Sequence, residues 1–99
     1  MMNVLDVLDE LMGFYNEALE ELMDAEKYVK CYERSETAEN KAMYKGLAKQ
    51  ELDHESTLEK ASDRLFSGAG MNDQLHHVWH HLKKHLHSWR SKIEMRMTE

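Results

Sequence analysis

Val4, Leu8, Leu11, Tyr15, Ala18, Leu22, Ala25, Val29 and Tyr32 follow one another at alternating steps of four and three without a break. That rhythm returns every apolar side chain to one side of an α-helix, whereas a strand would need alternation every two residues. The chain is thereby committed to a long helix over residues 3–33 with a heptad seam that must find cover. Gly13 weakens the helix propensity at one position but not the pattern. With no Pro anywhere and only 4 Gly, the remaining sequence is equally suited to helices.

Arg34, Ser35, Glu36 and Thr37 form a short polar connection, with Ser35 or Thr37 as the next N-cap. A second helix is expected over 37–66, its seam at Tyr44, Leu47, Glu51, His54, Leu58, Ala61 and Leu65. Two strongly polar residues stand where Leu belongs. Ser67, Gly68, Ala69 and Gly70 stop that helix, and Asn72 or Asp73 caps a third over 72–97. The third seam is Leu75, Trp79, Leu82, Leu86, Trp89 and Ile93. A connection of a few residues makes the first two helices antiparallel neighbours, an αα-hairpin. The expected fold is all-α: one helical domain over residues 1–99, built as a long hairpin plus a third, amphipathic helix. Ninety-nine residues with 41% hydrophobic content bury a modest core unless subunits share it, so self-association is expected.

Several function classes are excluded. Residues 1–66 hold 16 acids against 8 bases, a net of -8, while residues 67–99 hold 3 against 5, a net of +2. An acidic body repels phosphate, so no nucleic-acid partner is expected. The apolar runs are far shorter than the roughly 20 residues of a membrane span, which excludes a spanning role. The single Cys31 cannot make an internal disulfide, and no apolar leader opens the chain, so a cytoplasmic location is expected. Cys31 itself is read as a small core hydrophobe.

Glu51 and His54 carry the chemistry. A Glu-x-x-His pair arises about once by chance in a chain with 7 His and 13 Glu, so its place on the seam is what matters. A carboxylate or imidazole taken from water must be paired, hydrogen-bonded or bound to metal. Residues three apart on a helix project from one side within about 5–6 Å, so one cation can touch both. Beside the first seam, Val7, Phe14, Glu21 and Tyr28 form a stripe in which Glu21 is the exception. Counted from the hairpin turn, Glu21 and Glu51 differ by one residue, or about 1.5 Å of axial height. Two carboxylates and an imidazole are a hard oxygen and nitrogen set that suits iron or manganese, and also zinc. The alternative for Glu51 and His54 is a buried, hydrogen-bonded polar layer that fixes register in a helical scaffold protein without enzymatic activity.

The stretch from Glu20 to Tyr28, followed by Glu51-Leu52-Asp53-His54, resembles the ferritin-like superfamily, and within it the encapsulated ferritins. The likeness covers about residues 19–65. It implies that Glu21, Glu51 and His54 are metal ligands and catalytic residues of half a di-iron centre. Homodimerisation, or a ring of dimers, would complete both that centre and a four-helix bundle. The activity implied is ferroxidase, oxidation of Fe(II) by dioxygen. Tyr28 matches the family's Tyr one heptad after the ligand Glu, about 10 Å along the helix, too far to be a ligand. The chain ends Glu94-Met95-Arg96-Met97-Thr98-Glu99 without a Leu- and Gly-bearing targeting tail, which leaves a compartment shell protein a doubtful partner.

The third helix carries His76, His77, His80, His81, His85 and His87, all off its seam. Spacings of four in His77, His81 and His85, and in His76 and His80, can chelate a transition metal for storage or sensing. The competing expectation is a solvated or subunit-contact face. The 8 Met residues and the two Trp residues are core and interface material.

Overall fold

Asn3 begins the first helix by accepting the Asp6 backbone N–H on its Oδ1 at 2.9 Å, satisfying one of the donors a helix start leaves unpaired. The computed structural model describes residues 3–68 and 73–98, and the chain runs through three helices: α1 (Val4–Arg34), α2 (Ala38–Gly68) and α3 (Asp73–Met95). The described residues contain no strand, and none of their helices is long and apolar enough to cross a membrane. The expected break at Ala69 and Gly70 and the cap Asn72 lie outside the described residues.

Between α1 and α2 the two candidate caps divide the work. Ser35 belongs to the end of α1: it is extended, its N–H reaches Cys31 O at 3.0 Å, and its hydroxyl donates to the same oxygen at 2.8 Å. Thr37 is the N-cap of α2, its Oγ1 accepting the Asn40 N–H at 3.1 Å. Lys41 Nζ then reaches back to Tyr32 O at 3.0 Å and lies 4.5 Å over the Tyr32 ring. Farther from the connection, His54 meets Glu21. Each pair is nearly equidistant from residues 36 and 37, so α1 and α2 lie side by side. The small residues Ala18, Ala25 and Ala48 are buried in the same core and allow a close approach.

The buried line of α1 follows the expected seam from Ala18 onward, through Leu22, Ala25, Val29 and Tyr32. Near its start the line turns: Val7 and Leu11 are buried with Leu75 and Trp79, while Val4 stays 55% exposed and Leu8 and Tyr15 are half-buried. The reason is geometric. A straight helix drifts against a strict seven-residue repeat, and Leu75 and Trp79 of α3 join Leu65 of α2 as the neighbours there.

On α2 the structure corrects the expected seam. Its buried residues are Ala48, Leu52, Glu55, Glu59 and Ser62; Tyr44, Leu47, Glu51, Leu58, Ala61 and Leu65 are half-buried, and His54 is exposed. The buried line is turned by roughly 90° from the one that apolar residues mark, about one residue's rotation. The cause is α3, which covers the side of α2 bearing Glu55, Glu59 and Asp63. Helix α3 keeps its seam, with Leu75, Trp79, Leu86 and Ile93 buried and Leu82 and Trp89 half-buried. It stops at Met95, two residues short of expectation, and tightens into i→i+3 turns (Arg96 N–H to Ile93 O, Met97 N–H to Glu94 O) that tuck Met97 into the core. Arg96, in the first of these turns, is bonded to Glu26 and Glu33 of α1, and it holds the Glu33 carboxyl below the usual range. The whole is an elongated body of 53 × 18 × 16 Å.

Leu86 is 0% exposed and sits in the core shared with α1 and α2. Leu86→Ala is expected to cost about 2–5 kcal/mol of unfolding free energy. Urea denaturation of the two proteins measures it; no loss would mean that α3 is not seated on the other two helices.

Candidate metal centre

Glu21 of α1 and Glu51 and His54 of α2 come together, with one ligand atom from each lying within 4.8 Å of the others. His54 Nδ1 is 3.4 Å from Glu21 Oε2 and 3.8 Å from Glu51 Oε2. The expected level match between Glu21 and Glu51 follows from the side-by-side helices, and the i,i+3 spacing puts His54 on the turn beside them. Among the described residues this is the only cluster of three ligand-type side chains so close.

The cluster sits at the rim of the core. The Glu21 and Glu51 side chains are half-buried, while the His54 side chain is 62% exposed. Its flank is fixed by helix geometry. On α1, Glu26 and Glu33, which α3 touches, lie about 60–80° to one side of the buried line, and Glu21 lies about 60° to the other. On α2, Asp63 faces α3, while Glu51 and His54 fall on the opposite side. The triad therefore looks out from the flank that α3 leaves uncovered, where Phe14, Tyr28, Leu47 and Leu58 are also half-buried.

The electrostatics are those of crowded acids. A hydrogen bond with the Glu21 carboxyl, then partial burial and the Glu21 charge, raise the Glu51 carboxyl above its ordinary range, against a smaller opposing pull from His54. Glu21 Oε2 is buried without a hydrogen-bond partner. A buried acceptor left unpaired costs about 1–3 kcal/mol, and a cation beside it would remove both that cost and the repulsion between the acids. The two carboxylates and one imidazole thus fit a metal ion by donor type, by spacing and by the unpaired oxygen.

The buried polar residues of α2 are ones that apolar spacing does not reveal. Glu55 is 0% exposed and Glu59 and Ser62 are buried with it. Arg90 Nη1 donates to Glu55 Oε2 at 2.7 Å and to Leu52 O at 3.0 Å; His87 Nε2 lies 2.6 Å from Glu59 Oε1; Asp63 accepts from Trp79 Nε1 at 2.8 Å and Lys83 Nζ at 3.0 Å. Burial, and then the neighbouring Glu59 carboxyl, outweigh Arg90 and push Glu55 up to about 8, so the Glu55–Glu59 pair keeps a proton at neutral pH. Asp63 goes the other way: burial would raise it, but the Trp79 and Lys83 hydrogen bonds and the Lys83 charge prevail and hold it low. A signal for this arrangement does exist in the sequence. Lys83, His87 and Arg90 form a basic stripe at steps of four and three, and Glu55, Glu59 and Asp63 an acidic one at steps of four.

Of the third-helix histidines, only His87 is drawn into that layer; His76, His77, His80, His81 and His85 are exposed. Compared with known protein families, with curated proteins and with solved structures, the chain has no match.

The Glu55 carboxyl titrates higher in the folded than in the unfolded chain, so its contribution to stability is complete below about pH 4.5 and is lost as pH rises through about 8. Thermal or urea unfolding between pH 6 and pH 9 should show wild type losing on the order of 2 kcal/mol relative to Glu55→Gln, which has no such proton to lose. Parallel pH profiles for the two proteins would contradict the assignment.

Proposed function

We propose that this chain is a ferritin-like protein that binds iron and oxidises Fe(II) with dioxygen at a di-iron carboxylate site shared by two copies. The observation that carries the reading is the Glu21–Glu51–His54 cluster itself: ligand atoms within 4.8 Å, an unpaired buried carboxylate oxygen, and an aspect onto an uncovered flank. One copy offers two carboxylates and one imidazole, half of the set that di-iron bundles use, namely a Glu from each of two helices and a Glu-x-x-His from each of the other two. Two antiparallel α1–α2 hairpins joined by a two-fold axis at this flank would make a four-helix bundle and bring six ligands together. The half-buried apolar residues around the cluster support the same face as the contact.

In this reading Fe(II) is the substrate: two ferrous ions each give up one electron to dioxygen, which takes two protons from water and leaves as hydrogen peroxide. Glu21 and Glu51 bridge or chelate two cations and balance their growing charge, and His54 supplies a neutral imidazole nitrogen. Glu51, whose carboxyl titrates high, must release its proton to bind, so loading weakens as pH falls. Manganese or zinc fits the same donor set. The competing reading, a non-enzymatic scaffold with a polar Glu/His layer, draws on a specific observation: a Glu/His pair, the buried Glu59 with the largely exposed His87, joins α2 to α3. That pair lies on the α3 side of α2 and leaves the triad unexplained.

The test is to load anaerobic protein with Fe(II), admit air and follow ferric absorbance, with metal content and sizing measured on the same samples. The reading expects oxidation faster than in Glu51→Ala/His54→Ala, about one two-iron site per two chains, and dimers that weaken on chelation. Equal rates in the two proteins would overturn it; metal-free dimers unaffected by chelator would favour the scaffold.

A further inference from the structure

A second, chemically different set of metal donors stands on α3, made of imidazoles alone. His81 and His85 are both exposed and one helical turn apart, and their rings already approach edge to face, with centroids 5.0 Å apart at 84°. That spacing has a specific meaning. A zinc–imidazole bond is about 2.0–2.1 Å and the ring centre lies about 1.1 Å beyond the nitrogen, so two imidazoles on one ion at roughly 90–110° place their centroids about 4.5–5.2 Å apart. The observed 5.0 Å falls inside that interval.

We propose that His81 and His85 form a two-imidazole chelate on α3 for a borderline divalent cation, of the class of Zn2+, Ni2+ or Cu2+. Both side chains are exposed and lie on the side of α3 away from Lys83, His87 and Arg90, which are engaged with α2, and His85 borders a surface hollow with Tyr15 and Leu19 of α1. Nothing has to unfold or unpair for an ion to reach them. His81 also borders a surface hollow of about 440 Å3 with His77 and Lys84, which leaves room for the waters that complete the coordination of a two-ligand ion. His77, a turn before His81, extends the stripe, and the ring contact among the described residues of this stripe is the one between His81 and His85.

Donor chemistry separates this site from the first. Two neutral imidazoles and water favour the late first-row ions, whose affinities exceed those of Mn2+ and Fe2+ at nitrogen ligands, while the oxygen-rich triad suits the harder ions. A bound ion would also tie together two residues a turn apart and so stiffen the middle of α3. The inference does not depend on the function proposed for the triad.

The experiment uses full-length protein carrying Glu51→Ala/His54→Ala, so that the triad does not contribute, and titrates it with Zn2+ by calorimetry while recording histidine ring signals by NMR. Zn2+ is expected to move the His81 and His85 signals together, and adding His81→Ala or His85→Ala should weaken the tightest binding at least fivefold, with His76→Ala leaving it unchanged. Circular dichroism establishes that the half-buried Glu51→Ala change and the exposed histidine variants leave the protein folded. Binding unaffected by His81→Ala, signals that move only at His76 and His80, or no binding at all in this background would each overturn the proposal.

Discussion

The docking of α3 on α2 through matched charge decides the rest of this structure. Asp63, Glu59 and Glu55 meet Lys83, His87 and Arg90 in order, one helix read forward and the other backward. A buried ion pair adds little net stability over a good apolar contact, because both charges must leave water. What it does well is discriminate. An α3 slid by one turn, or placed on the other flank, would leave the Glu55 and Glu59 carboxyls buried beside each other without Arg90 and His87, and buried polar groups left without hydrogen-bond partners are destabilising. The apolar seam of α3 supplies the adhesion, and the charge stripe sets the position.

That position has a functional consequence. With α3 on one flank, the opposite flank of α1 and α2 remains uncovered, and it is there that Glu21, Glu51 and His54 converge. The two acidic clusters of α2 are one residue apart in sequence at His54 and Glu55, yet they differ in kind. Glu55 and Glu59 have a guanidinium and an imidazole from α3 to answer them. Glu21 and Glu51 have each other and a largely exposed His54, and a buried oxygen without a hydrogen-bond partner occurs in both clusters, Glu21 Oε2 here and Glu55 Oε1 there. What separates the clusters is that α3 answers one of them and leaves the other on an uncovered flank.

The donor types of the two histidine-bearing regions differ in the same physical sense. The triad is dominated by carboxylates at the rim of the core, and the α3 pair consists of two imidazoles in water.

Much of this was legible in the residues alone. The alternation from Ala18 to Tyr32, the caps at residues 35–37 and the seam of α3 each follow from local rules, because 3.6-residue periodicity and backbone hydrogen bonding act within a few residues. The convergence of Glu21 with Glu51 and His54 was equally readable, since a short connection fixes which heights of two neighbouring helices meet. Which side of α2 would be buried was not. The apolar residues Tyr44, Leu47, Leu58 and Leu65 marked one side, and the buried line instead runs through Glu55, Glu59 and Ser62. Only the tertiary structure could decide that, because the burial of a glutamate depends on a partner some thirty residues away in the chain. The sequence by itself determined three helices and the meeting of Glu21, Glu51 and His54; the arrival of Arg90 and His87 determined which flank was closed, and so which one those three side chains face.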